Sequence, residues 1–277
     1  MNKHHAHSQY KIHHIQQLTQ FELNTTINTS PKRSYVSKSN TKKSIRSERL
    51  RISVRTRSWK LKDKDYWNGK YGLNKQQLEY CNIFPISHYF INGYCTEADD
   101  IAYAFVEEKD DLQTFKIYQP FNNNDEKWIN NNDYSTWELW TQLPETGNIC
   151  IITSSRKDAA VIKSLFPSNK ITSCSLQSEG VNPKSSVIEE LRSRFKEVFV
   201  MYDNDFENSK NPGRTAGSKL CEQTQFLQIE IPTEICTKYG VKDPSDYLEA
   251  NSSSELKNLL TKLIQERLRE EELKQII

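Results

Sequence analysis

A chain of 277 residues with 35% hydrophobic content can fill one or two modest cores, and no apolar run approaches the ~18 residues a membrane helix needs. Its six cysteines are scattered without a Cys-x-x-Cys pair, which excludes a zinc ribbon or a disulfide framework and points to a reduced, cytoplasmic setting with no membrane association. The net charge of +2 conceals an asymmetry: residues 1–60 carry 13 Lys and Arg against two acids, Glu22 and Glu48, while the remainder carries 25 against 34.

Residues 1–45 are polar, rich in Ser, Thr and Asn, and short of periodic apolar positions, so a disordered basic arm is expected there. A basic arm ahead of an acidic body suits a nucleic-acid protein, because each neutralised phosphate releases counterions. A solvated tail and a cleaved organellar presequence are the alternatives. Residues 46–147 form the next unit, a small α+β subdomain. It opens on the basic stretch Arg46 to Lys64 with Trp59, Tyr66 and Trp67 interleaved or adjacent. Asn74 is placed to cap a helix over 75–82, and the patterning at 101–107, 114–118 and 128–129 predicts strands, separated by an Asn/Asp-rich turn at 121–125.

From Asn148 short apolar runs alternate with amphipathic segments. Strands are predicted at 149–153, 170–175, 198–202 and 226–231, with helices at 156–166, 184–195 and 215–223. That alternation implies βαβ units, so 148–250 is expected to be an α/β domain, a Rossmann-like four-stranded parallel sheet flanked by helices. A charged helix from Ser254 to about Leu273 closes the chain within 251–277.

Ligands of open α/β sheets bind beyond the carboxyl ends of the strands. There the chain offers Thr153-Ser154-Ser155-Arg156-Lys157-Asp158, Ser178-Glu179-Gly180, Asp203-Asn204-Asp205 and Lys242-Asp243-Pro244-Ser245-Asp246. The apolar run 198–202 ends directly in Asp203 and Asp205, whose i, i+2 spacing lets two carboxylates converge on a hard cation. Asp243 and Asp246 offer a second pair of metal ligands; capping of the turn at Pro244 is the alternative. Arg156 and Lys157, at a helix start, are candidates for phosphate contacts, as are Arg214 and Lys219.

These residues resemble the Toprim domain, the catalytic fold of bacterial primases, topoisomerases and OLD-type nucleases. Asp203 and Asp205 match its Asp-x-Asp, Gly213, Ala216 and Lys219 resemble the following helix, and Lys242-Asp243-Pro244-Ser245-Asp246 resembles a Lys-Asp-Pro-x-Asp segment of the primase branch. The upstream runs Lys116-Ile117-Tyr118-Gln119-Pro120 and Lys127-Trp128-Ile129-Asn130-Asn131 resemble phage-type primases. The resemblance covers about residues 60–250, most strongly 148–248. It implies Mg²⁺ (or Mn²⁺) on Asp203 and Asp205, a nucleic-acid role for Lys116, Lys127 and Trp128, and primer synthesis from nucleoside triphosphates on single-stranded DNA during replication.

One departure stands out. Catalytic Toprim domains end the first strand in Glu-Gly, where this chain has Ser154 and Ser155; Asp158 matches the family's acidic position in the next helix. A serine cannot hold a transferable proton as a carboxylate does. Either Glu179 replaces the missing glutamate, or nucleotide phosphates complete the Asp203/Asp205 site. The chain has neither a zinc module before the basic region nor a Gly-x-x-x-x-Gly-Lys-Ser/Thr motif, so a separate replicative helicase is the expected partner. A non-catalytic nucleic-acid-binding module and an OLD-type nuclease are the competing readings.

Overall fold

The structure, a computed structural model, describes residues 50–109, 112–123, 125–131, 137–168 and 170–276. The expectations for the arm at 1–45 lie outside these residues.

Residues Ile52–Ile277 form one compact unit built on two sheets. The first is antiparallel. β1 (Ile52–Thr56), β2 (Ile83–Ile91), β4 (Tyr103–Lys109), β5 (Leu112–Tyr118) and β6 (Trp128–Asn130) lie in that order, with β3 (Tyr94–Glu97) paired to the distal half of β2. β1 alternates buried Ile52 and Val54 with exposed Ser53 and Arg55, the period-2 pattern of a half-buried strand. It lies inside the stretch read from sequence as basic, where the arginines masked the alternation.

α1 (Leu61–Tyr71) follows and buries Asp63, Tyr66, Trp67 and Tyr71, a stripe at helical spacing. Trp67 is fully buried in this core. Asp63 is the unusual member: it receives a two-pronged pair of hydrogen bonds from Arg57 at 2.6 and 2.8 Å, one from the Tyr103 hydroxyl and one from the Lys60 amide. Burial alone would raise its pKa, but these donors hold the Asp63 carboxyl below the usual range. Gly72 ends α1 at φ +64, a left-handed position that suits glycine. α2 (Lys75–Tyr80) starts at Asn74, whose side chain accepts from the Gln77 amide, the capping expected from the sequence.

The second sheet is parallel, in the order β10-β9-β7-β8, with β7 (Gly147–Thr153), β8 (Ile171–Ser175), β9 (Phe195–Met201) and β10 (Leu227–Gln228). This is the mixed α/β arrangement with a four-stranded parallel sheet that the alternation implied. β10 is much shorter than the 226–231 run suggested. Side chains of β7 and β9 are buried on both faces: Ile151, Phe199 and Met201 join one core cluster, and Cys150, Ile152, Val198 and Val200 the other. Burial on both sides explains why these strands read as continuous apolar runs.

α3 (Arg156–Leu165) and α8 (Ser253–Ile276) cover the first face through Ala159, Ile162, Leu256 and Leu260; α4 (Ser185–Arg194) and α5 (Pro212–Thr224) cover the second through Leu191 and Leu220. The first cluster also takes in Trp67, Tyr103 and Phe105, so α1 and the antiparallel sheet share a core with the parallel one. Two short helices, α6 (Thr233–Tyr239) and α7 (Pro244–Ala250), lie between β10 and α8. No helix among the described residues is long and apolar enough to cross a membrane.

Candidate active site

The chain leaves β7 to form β8 on one side, then crosses back to place β9 on the other side of β7. The connections after β7 and β9 therefore diverge, opening a crevice at their carboxyl ends, the usual ligand position in doubly wound sheets. Ser154 follows β7 and Asp203 follows β9. Across the gap the Ser154 hydroxyl donates to Asp203 Oδ1 at 2.6 Å.

Three carboxylates from three segments meet here. One oxygen from each of Asp158, Asp203 and Asp243 lies within 4.8 Å of the other two. Asp158 sits in the first turn of α3, after the N-cap Ser155. Its Oδ2 accepts from the Ser155 hydroxyl at 2.5 Å and its Oδ1 from the Ser245 amide at 3.1 Å, which fastens the start of α3 to the start of α7. Burial, with the Asp243 and Asp203 charges adding to it, pushes the Asp158 carboxyl well above its ordinary pKa. Asp243 caps α7: its Oδ1 accepts from the Asp246 amide at 2.7 Å and the Ser245 hydroxyl at 2.6 Å. Capping and cluster membership, alternatives in the sequence, are here properties of one side chain.

Asp205 faces the same crevice from a different angle. Its Oδ2 accepts from the Gly213 amide at 3.0 Å, and its Oδ1 lies 3.4 Å from Lys242 Nζ, which also contacts Asp203 Oδ2 at 2.7 Å. The two acids do converge on a cation, and that cation is a lysine. Burial of Lys242 is outweighed by Asp203 and Asp205, so its pKa is raised. Asp205 and Asp246 stand outside the close triad, and Asp158 takes the place the sequence reading gave to Asp205. Asp246 is near enough to Asp243 that burial and the Asp243 charge push it up to about 6. Glu179, half-buried in the loop after β8, is raised by burial and then by Asp203 and Asp205.

The segment between the two acids is held rigidly. Asn204 is fully buried; its amide donates to Ile231 O at 2.8 Å and its side-chain oxygen accepts from Asn211 at 2.7 Å. Asn211, at φ 38, returns its own oxygen to the Asp205 and Arg214 amides. α5 begins so close to β9 that a Cβ on Gly213 would lie 2.4 Å from Asp203 O and 2.9 Å from Asp203 Cβ. Only glycine fits there. Asn211 is the site residue that sequence reading missed, with the asparagine-rich loop 204–211 as the available signal; Asn204, Lys242 and Ser245 stood inside the candidate segments without an assigned role.

Of the proposed phosphate-binding cations, Lys157 reaches the crevice. Burial opposes its charge, but Asp243 and Asp158 more than offset this and raise its pKa; its ammonium also lies 4.7 Å from the Tyr71 ring centre. Arg156 corrects the sequence reading. Its side chain is 1% exposed, and it pairs with Glu107 at 2.6 Å, approaches Glu138 at 3.9 Å and donates to Val106 O. Adjacent residues at a helix start point to different faces, and Arg156 faces the interior. Arg214 pairs with Glu230 at 2.7 Å and Thr233, which ties it to the segment after β10. Lys219 is exposed on α5.

The upstream candidates sit on the antiparallel sheet. Lys116 is largely covered, 3.4 Å from Glu138 and 4.9 Å from the Trp128 ring. Trp128 is 40% exposed and stacked on Tyr118 with ring centres 4.2 Å apart; Lys127 beside it is exposed.

The donor set suits a hard divalent cation, which takes carboxylate oxygens and shares its remaining positions with water or phosphate. Among the described residues, the five aspartates 158, 203, 205, 243 and 246 would, if all were ionised, carry three more negative charges than Lys157 and Lys242 offset, with Glu179 adding to the excess. The raised pKa of Asp158 reflects its burial first and the neighbouring Asp243 and Asp203 charges second.

No protein-family model matches this chain, and no curated protein matches it in sequence. Among solved structures it is similar to the primase fragment of the bacteriophage T7 primase-helicase protein, at 13% identity, TM-score 0.43, over 70% of this chain and 72% of that one. It is also similar to a chain in the structure of bacteriophage T7 lagging-strand DNA polymerase interacting with primase domains of two gp4 subunits bound to an RNA/DNA hybrid and dTTP. That match has 12% identity and TM-score 0.40, over 71% of this chain and 89% of that one.

Proposed function

We propose that the crevice performs metal-dependent phosphoryl transfer and that the protein is a Toprim-type, primase-like nucleotidyltransferase, joining nucleoside triphosphates into short RNA primers on single-stranded DNA. The observation that carries this reading is the convergence of Asp158, Asp203 and Asp243 at the β7/β9 switch point. On this reading residues 46–147 are the template-side subdomain, 148–250 the Toprim domain and 251–277 its closing helix, with a separate helicase opening the duplex.

Asp158, Asp203 and Asp243 would hold Mg²⁺ or Mn²⁺, with Asp205 and Asp246 available to a second ion. Such an ion supplies positive charge at the phosphate oxygens and fixes the line of attack. The remaining work falls to protein groups. Lys157 offers a cation in the first turn of α3, at the helix end that favours phosphate. Ser154 orients Asp203 through its 2.6 Å hydrogen bond and accepts no proton. Glu179, with its raised pKa and its place beside Asp203 and Asp205, is the carboxylate suited to take the proton from an attacking hydroxyl. Trp128 and Lys127 offer a ring and a cation for template bases and phosphates.

A primer-synthesis assay on single-stranded DNA with Mg²⁺ or Mn²⁺ tests the proposal: short RNA products are expected, and Asp203→Ala should abolish them without unfolding the protein. Degraded DNA in the same tube would indicate an OLD-type nuclease. Ser154 favours a second reading, a non-catalytic nucleic-acid-binding protein, which predicts salt-sensitive binding with neither product.

A further inference from the structure

Lys242 is built into the acidic crevice. Its backbone carbonyl accepts from the Asn204 amide at 2.9 Å, so the lysine is pinned to the residue between the two acids it contacts. Its ammonium lies 2.7 Å from Asp203 Oδ2 and 3.4 Å from Asp205 Oδ1. The side chain is nonetheless 46% exposed. It can leave both carboxylates for solvent by rotating its own flexible stem, with no change in the backbone that positions the acids. Lys157, by contrast, is shielded among Tyr71, Asp158 and Asp243.

A backbone fixed beside the acids, carrying a half-exposed ammonium, is what a replaceable counter-ion requires. We propose that Lys242 is the resident cation of the crevice: it neutralises Asp203 and Asp205 in the metal-free protein, must be displaced when a divalent ion binds, and so sets the metal affinity of the site. This rests on the reading that the crevice holds a divalent ion. Once displaced, the ammonium stays tethered within reach of phosphate oxygens brought in with the metal, while the carboxylates it has left are free to ligate.

The test is Mn²⁺ titration of the full chain, followed by the paramagnetic signal of free Mn²⁺, for wild type, Lys242→Met, Lys242→Arg and Asp203→Asn, without nucleotide or DNA. Removing one positive charge at contact distance from the ligands should tighten the Mn²⁺ dissociation constant by roughly tenfold at low salt, and the gain should shrink as salt screens it. Lys242→Arg should bind as wild type does, and Asp203→Asn should bind far more weakly. An unchanged or weaker affinity in Lys242→Met, with its circular dichroism and thermal transition showing it folded, overturns the proposal. Absence of Mn²⁺ binding by every protein overturns it together with the metal reading. Tightened binding in a protein that makes no primers upholds it and removes only the polymerase activity.

Discussion

Asp158→Asn separates a group kept for function from one kept for stability. Asp158 is 1% exposed and lies within 4.8 Å of two other carboxylates. Two unit charges at that separation interact by about 3 kcal/mol at an effective dielectric of 20, so ionised Asp158 suffers two such repulsions. Lys157 offsets part of this, and the group escapes part of the rest by holding its proton more tightly. Asparagine removes the charge. It keeps one acceptor for the Ser245 amide or the Ser155 hydroxyl and forfeits the other, a loss of about 1 kcal/mol.

The balance is a gain of about 1–2 kcal/mol in metal-free buffer at pH 7.5, or a thermal midpoint raised by about 2–8 °C for a unit of this size. Saturating Mg²⁺ should reverse the order, stabilising wild type by mass action and the variant much less. Differential scanning fluorimetry with EDTA or Mg²⁺ reads both. A variant less stable than wild type in EDTA, or one stabilised equally by Mg²⁺, would refute the argument that Asp158 is held in an unfavourable state for a cation.

The other predictions concern its surroundings. Asp246 has a folded pKa of about 6 against an ordinary value of 3.8. The folded state thus binds more protons than the unfolded between those values, and metal-free stability should rise as pH falls from about 6 toward 4. Asp63 has the opposite sign, with a depressed folded pKa; its contribution holds above 3.8 and is lost as pH falls below it, so acid unfolding should begin there. A denaturant midpoint falling monotonically from pH 7 to 4 would contradict the Asp246 assignment. Arg156→Met should cost about 3–5 kcal/mol in urea unfolding by removing the buried cation that pairs with Glu107 at 2.6 Å, whereas Lys157→Met should leave the fold largely intact and remove activity; equal effects would contradict their opposite placement. Gly213→Ala should destabilise by about 1–3 kcal/mol and weaken Mn²⁺ binding, since its Cβ displaces α5 from Asp203. Trp128→Ala should weaken single-stranded DNA binding by about 1–3 kcal/mol in fluorescence anisotropy, and unaltered binding would remove Trp128 from the template path.

The parallel sheet was legible because strands buried on both faces leave an unbroken apolar signature, as at 149–153 and 198–202. Asp203 and Asp205 were legible because they end such a strand. The antiparallel sheet was half hidden: β1 carries Arg55 on its open face beside Arg51 and Arg57, and the N-cap of α1 is Lys60, not Ser, Thr, Asp or Asn. An aspartate within the buried stripe of α1 further obscured its face, and donors from Arg57, Tyr103 and the Lys60 amide explain its burial. Arg156 and Lys157 could not be told apart in sequence, because the partners that draw Arg156 inward, Glu107 and Glu138, come from distant segments. Asp158 joins the triad for the same kind of reason: the start of α7 packs against the start of α3, a tertiary contact with no local trace.

Mn²⁺ soaked into crystals and located by anomalous diffraction tests the central claim most directly. The account predicts an ion bound by the Asp158, Asp203 and Asp243 carboxylates, with the Lys242 ammonium moved off Asp203. An empty crevice at saturating Mn²⁺, with Lys242 still seated between Asp203 and Asp205, would contradict it.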